Sequence, residues 1–153
     1  MTRALDYKSS EPQSGYIARA VIFVHGYGGD GADLLGLADP MAPHLPDTIF
    51  IAPNAPEACS VNPMGYQWFP IPWIDGSSEE DARAGLARAF DDFNAFLEQV
   101  MEENNLTARD VALVGFSQGT MLSLHVAPRL EDSLRAVVGF SGRLLEPERL
   151  KEE

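Results

Sequence analysis

Apolar residues gather in four short runs, at residues 18–24, 48–52, 111–114 and 135–141, each rich in Val, Ile, Leu or Phe. Runs of this length without strict alternation read as strands covered on both faces. Between them the apolar period lengthens to that of a helix. Leu34, Leu35, Leu37 and Met41 suit a helix over residues 32–45, interrupted near Pro40. Ser77 with Glu80 forms a capping box for a helix running to about Glu103, with an apolar stripe of Leu86, Phe90, Phe93, Leu97 and Val100. The acidic Glu79, Glu80, Asp81, Asp91 and Asp92 lie largely off that stripe and read as a solvated face. A third helix spans residues 120–126, stopped by Pro128, and residues 146–153 form a short or frayed one. Residues 1–16 are polar and mixed, which suits an edge strand and a turn. Strands alternating with helices predict one α/β domain over residues 1–153, a mostly parallel sheet with helices on both faces. Residues 53–76, irregular and rich in Pro and aromatics, form a long loop of the kind that carries function.

The run at 111–114 leads straight into Gly115-Phe-Ser-Gln-Gly119 and then into the third helix. Strand, G-x-S-x-G and helix in that order describe a nucleophile elbow. The bend presents Ser117 above the sheet at a helix N-terminus, where developing negative charge is stabilised. The plainer alternative is a serine that caps the helix.

A second glycine loop follows the first strong strand. Gly26, Gly28 and Gly31 satisfy G-x-G-x-x-G, so a nucleotide-binding module has to be considered. That use needs an acidic residue at the end of the next strand. This strand instead ends Ile51-Ala-Pro-Asn54, and Asp47 stands before it, at the wrong end. The other use is an oxyanion hole, with the backbone N–H of Tyr27 joining that of Gln118 over an acyl group on Ser117.

Charge narrows the partners. A net charge of −12 leaves no basic patch for nucleic acid and disfavours anionic membranes. Cys59 is the only cysteine, which excludes an intrachain disulfide and suits a packing role. The N-terminus lacks a secretory h-region and no apolar run reaches membrane-spanning length, so a cytoplasmic protein is expected.

Four motifs in order carry a family resemblance: His25-Gly-Tyr-Gly-Gly-Asp-Gly-Ala-Asp-Leu34, Ile51-Ala-Pro-Asn-Ala-Pro56, Gln67-Trp-Phe69 and Gly115-Phe-Ser-Gln-Gly119, with Phe140-Ser-Gly-Arg143 beyond them. Over residues 18–143 the chain resembles the phospholipase/carboxylesterase family of α/β-hydrolases, whose relatives include acyl-protein thioesterases. The resemblance implies Ser117 as nucleophile, Tyr27 and Gln118 as oxyanion-hole positions, and Trp68 and Phe69 as walls of the substrate pocket. It implies a small carboxylic ester as substrate, extending to thioesters or lysophospholipids, and no metal or organic cofactor.

It also implies an acid and then a histidine after the serine. Between residues 118 and 153 the only histidine is His125, whose Cα lies about 12 Å along the helix from that of Ser117. His25 reads as structural and His44 as surface; Glu131, Asp132 and Glu146 match no family acid. Three readings therefore stand. The chain is a serine carboxylesterase whose acid and histidine are absent from it, a catalytically crippled module that binds acyl ligands or proteins, or a nucleotide-binding module. With the last strand left as a sheet edge, a homodimer or other association through that strand is expected.

Overall fold

The computed structural model describes residues 1–153. Five strands form one sheet in the order β1-β3-β2-β6-β7. They are β1 (Tyr7–Ser10), β2 (Arg19–Val24), β3 (Thr48–Pro53), β6 (Val111–Phe116) and β7 (Ala136–Phe140). β1 runs antiparallel to β3 at one edge, and all other pairs are parallel. The pleat explains why the inner strands look uniformly apolar. Ala20, Ile22 and Val24 of β2, with Ile49 and Ile51 of β3, enter one core, while Val21 and Phe23, with Phe50 and Ala52, enter the other.

The larger core is closed by α4 (Glu79–Asn104) and α5 (Gln118–Val126), which contribute Leu86, Phe93, Leu97, Leu122 and Val126. The smaller core is closed by α1 (Gly31–Leu35) and α2 (Ala38–Met41). The single interrupted helix expected over 32–45 is in fact three pieces, the last a 3-10 turn at Ala42–His44. Gly36 ends the first piece, and Pro40 and Pro43 each remove an amide donor from the path.

The long loop folds into a small hairpin, β4 (Glu57–Ala58) with β5 (Tyr66–Gln67), and a helical turn, α3 (Pro72–Asp75). After β7 the chain ends in α6 (Pro147–Glu152). No helix is long and apolar enough to cross a membrane.

Two sequence expectations for α4 shift. The helix is capped by Ser78, whose side chain accepts the Asp81 N–H; Ser77 turns its hydroxyl to Asp75 instead. Asp92 is not on a solvated face. It is 2% exposed and accepts both the backbone N–H of Arg3 at 2.7 Å and its Nε–H at 2.8 Å. A buried carboxylate is tolerated only with such pairing, which ties the N-terminal segment across the long helix.

Candidate active site

Ser117 stands where β6 turns into α5, with φ 54° and ψ −116°. For a residue with a Cβ that conformation costs on the order of 1–3 kcal/mol and persists only where the surroundings enforce it. Here they do. The Ser117 N–H donates to Phe140 O on β7 at 2.8 Å, and the Ser117 carbonyl accepts from Met121 N–H at 3.2 Å. A Cβ on Gly119 would run into Val24 O, so only glycine lets α5 start this close to β2. The Ser117 side chain makes no capping bond to its helix. The helix-cap alternative therefore fails, and the half-exposed hydroxyl is left free at the C-terminal edge of the parallel strands, where open α/β sheets place their sites.

The loop after β2 lies against this serine: a Cβ on Gly26 would meet Ser117 Cβ at 3.1 Å. Its orientation is set by His25. The His25 ring is 1% exposed; Nε2 accepts the Ala55 N–H at 2.9 Å, so the proton is on Nδ1, which donates to Gly26 O at 2.7 Å. Gly26 O also accepts the Gly29 N–H at 3.0 Å. All peptides are trans, so a carbonyl held inward turns the Tyr27 N–H to the opposite side. The N–H of Gln118, at the first position of α5, has no carbonyl one turn back in its helix. The Gln118 N–H thus stands at the elbow outside its helix's own bonding, next to the Gly26–Tyr27 segment.

The side chain of Gln118, fully buried, does a separate job. Its Oε1 accepts the Trp68 N–H at 2.9 Å and its Nε2 donates to Phe69 O at 2.8 Å. Trp68 in turn donates its indole N–H to His25 O at 2.9 Å and packs edge-on to Phe93, with centroids 5.6 Å apart. The structure thus places Trp68 in the main core, fully buried, and not at a cavity wall. Phe69 does line a cavity, one that reaches Met121 one turn along α5 from Ser117.

The Tyr27 side chain leaves the elbow and reaches α3. Its hydroxyl donates to Asp75 Oδ2 at 3.0 Å and meets Ser60 Oγ at 3.0 Å. Burial pushes the phenol up to about 12, and the Asp75 carboxylate adds to the shift. For Asp75, burial acts to raise the pKa, but donors from Ser77, Ile71 and Tyr27 outweigh it and hold the carboxyl at about 2. Nothing in the sequence marks Asp75; it is found only because the loop folds back on Tyr27.

The histidines sit apart from the serine hydroxyl's needs. Both ring nitrogens of His25 are engaged, and burial depresses its pKa. His44 is exposed in the 3-10 turn after α2. His125 is buried on α5, packs edge-on to Phe90, and has its pKa lowered by burial and then by Arg129. No three His, Cys, Asp or Glu side chains converge as metal ligands.

Residues 8–153 match the phospholipase/carboxylesterase family. The chain belongs to that family. It is similar to esterase PE8 at 39% identity and TM-score 0.91, a match covering 99% of this chain and 70% of that one. Acyl-protein thioesterase 2 of Zea mays matches at 23% identity and TM-score 0.67, over 96% of this chain and 66% of that one. The Bacillus cereus carboxylesterase matches at 16% and 0.70, over 92% and 61%. These last two show the shared fold, and the chain spans 61% of the shorter-covered relative and 70% of PE8. Membership in this hydrolase family replaces the nucleotide-binding reading of the Gly26 loop. The local chemistry agrees: α1 is five residues long, the Asp30 carboxylate already caps it, and the Gly31 N–H is taken by Asn54 Oδ1 at 2.8 Å. A phosphate would meet a carboxylate where it needs free amides.

Proposed function

We propose that this phospholipase/carboxylesterase family member is a serine carboxylesterase in which Ser117 is the nucleophile. The supporting observations are the strained Ser117 at the start of α5, its hydroxyl uncommitted, and the Gly26 loop packed against it. The Ser117 oxygen attacks the acyl carbon of a carboxylic ester or thioester. The carbonyl electrons move to oxygen, facing the Tyr27 and Gln118 N–H groups. Collapse expels the alcohol or thiol and leaves an acyl-serine, which water hydrolyses. Removing one such donor typically costs about 10²–10³ in rate.

The serine proton needs an acceptor, and none of the three histidines is placed to take it. In this reading the base and its acid belong to polypeptide that extends the sheet beyond β7, in cis or in trans. A triad short of a member retains only about 10³–10⁴-fold acceleration over water. That shortfall favours one other reading, a module that takes up acyl groups without turning them over.

A 4-nitrophenyl acetate assay with fluorophosphonate labelling, on the wild-type chain and Ser117→Ala, tests the proposal. Labelling that Ser117→Ala abolishes supports the nucleophile. Catalytic turnover lost in the same variant supports the esterase, whereas stoichiometric labelling without turnover supports the module. Labelling that survives the substitution overturns both.

A further inference from the structure

A cavity of about 250 Å³ reaches Met121, one turn along α5 from Ser117. Met121, which donates its N–H to the Ser117 carbonyl, lines it, as does Phe69, whose carbonyl is held by Gln118. Arg143 reaches it from the loop after β7; a Cβ on the preceding Gly142 would lie 2.9 Å from Ser117 O. The buried part of the wall is apolar, with Phe69 and Leu86 at 5% and 7% exposure. The exposed part carries two cations, Arg83 from α4 and Arg143.

The chain has 23 acidic and 11 basic residues, yet no carboxylate comes within 4.0 Å of either guanidinium. Arg3, Arg88, Arg129 and Arg149 are paired; Arg19, Arg109 and Arg135 are unpaired as well but do not line this cavity. Of the two acids on the same cavity, Glu146 is taken by Arg149 at 3.0 Å, and Glu79 sits in the first turn of α4, where the helix dipole favours it. Arg143 stacks its guanidinium over Trp73 at 5.0 Å. Stacking uses the face of the guanidinium and leaves its N–H edge open to a planar carboxylate. It also occupies the aromatic face that a quaternary ammonium group would need.

We infer that the cavity selects esters whose apolar body ends in a carboxylate, that is, half-esters of short dicarboxylic acids, with Arg83 and Arg143 holding the free carboxylate. The volume is below the roughly 300–1,000 Å³ of sites for drug-sized ligands, which suits a short chain. This deepens the esterase reading and rests on it for the fate of the ester bond, but the recognition itself needs no turnover.

Equilibrium calorimetry with monomethyl adipate, methyl hexanoate and acetylcholine tests it on the wild-type chain, Ser117→Ala, and the pair Arg83→Gln with Arg143→Gln. Charge-assisted hydrogen bonds at a partly exposed site predict about tenfold tighter binding of monomethyl adipate than of methyl hexanoate. The preference persists in Ser117→Ala, which loses only fluorophosphonate labelling, and disappears in the double variant. Both arginines are exposed, so an unchanged Tm shows that the double variant folds. Equal binding of the two methyl esters, no binding of either, tighter binding of acetylcholine, or a preference that survives the double substitution overturns the inference. Failure of the nucleophile reading shows separately, as labelling that does not depend on Ser117.

Discussion

Gln118 accepts the backbone N–H of Trp68 at 2.9 Å through a side chain with no solvent exposure, bridging fifty positions of sequence. The same side chain donates to the next carbonyl, Phe69 O. One residue therefore offers its backbone amide at the elbow and uses its side chain to fix the adjoining wall. Gln118→Leu keeps the amide and strands two buried backbone groups. The expected loss is about 2–4 kcal/mol of folding stability, read by urea denaturation. Fluorophosphonate labelling should fall less than in Ser117→Ala, because the backbone amide proposed as an oxyanion donor stays. Unchanged stability would show that the bridge is dispensable.

Gly119 faces Val24 O across the start of α5 with no room for a methyl group. Gly119→Ala must push the helix off β2 and with it displace Ser117. A destabilisation of about 3 kcal/mol or more is expected, at the upper end of single-substitution effects. Soluble yield and Tm report it. A variant as stable as the parent would mean that the elbow tolerates movement and that the strain at Ser117 is not enforced from this side.

The Arg3–Asp92 pair separates charge pairing from packing. Asp92 is 2% exposed, whereas the Arg3 side chain is 36% exposed. Asp92→Ala leaves Arg3 without its main partner and opens a small void beside Phe93, so about 2–3 kcal/mol should be lost, discounted for the solvent that reaches Arg3. The double change Arg3→Met with Asp92→Leu should recover much of that, since well-packed apolar groups often replace a buried pair at no net cost. Thermal unfolding of the three variants decides; additive losses in the double variant would show that the site needs the charges.

What could be read from the chain alone was local. The runs that became β2, β3 and β6 are apolar on both faces, because helices cover both, and they stood out for that reason. The elbow showed because its chemistry sits within five consecutive residues. Asp92 is bonded to a residue 89 positions away and Gln118 to one 50 away; no periodicity carries such information. Ser77 and Ser78 each precede an acid by three positions, so the sequence leaves the cap of α4 ambiguous by one. Asp75 settles it by taking the Ser77 hydroxyl. Trp68 was expected at the substrate wall beside Phe69, yet its indole is fully buried in the main core, its N–H bonded to His25 O, an arrangement no local pattern reveals.

His25 makes stability depend on pH. Burial lowers its pKa from the ordinary 6.5, and His125 shifts in the same direction for the same first cause. A group with a depressed folded-state value binds protons more readily in the unfolded chain. Stability is therefore full above about pH 6.5 and declines as pH falls from there towards the folded-state values. Protonation would also break the bond from Ala55 N–H to His25 Nε2, releasing the loop that orients Tyr27. Urea midpoints across this window should fall with acid, and His25→Gln should flatten part of the slope, with His125 accounting for the remainder. A slope unchanged in His25→Gln would place the titration elsewhere.

β7 leaves apolar side chains in water on the outermost strand of the sheet: Val138 is 46% and Phe140 53% exposed, and Phe116 of the neighbouring β6 is 49% exposed. Its outer backbone edge has no strand beside it. Such an edge accepts a further strand, either from a second copy or from the polypeptide proposed above to carry the base. The net charge of −12 opposes pairing of two copies. Screening shortens that repulsion to about 10 Å at 0.1 M salt, so self-association should rise with both salt and protein concentration. Val138→Lys places a charge on the strand and should suppress association at every salt concentration without lowering Tm, because Val138 supports little of the core. Sedimentation velocity at low and high salt reads the outcome. A chain that stays monomeric at high salt and high concentration would leave pairing with a different polypeptide as the only use for this edge, and a Val138→Lys variant that associates as readily as the parent would move the contact off β7 altogether.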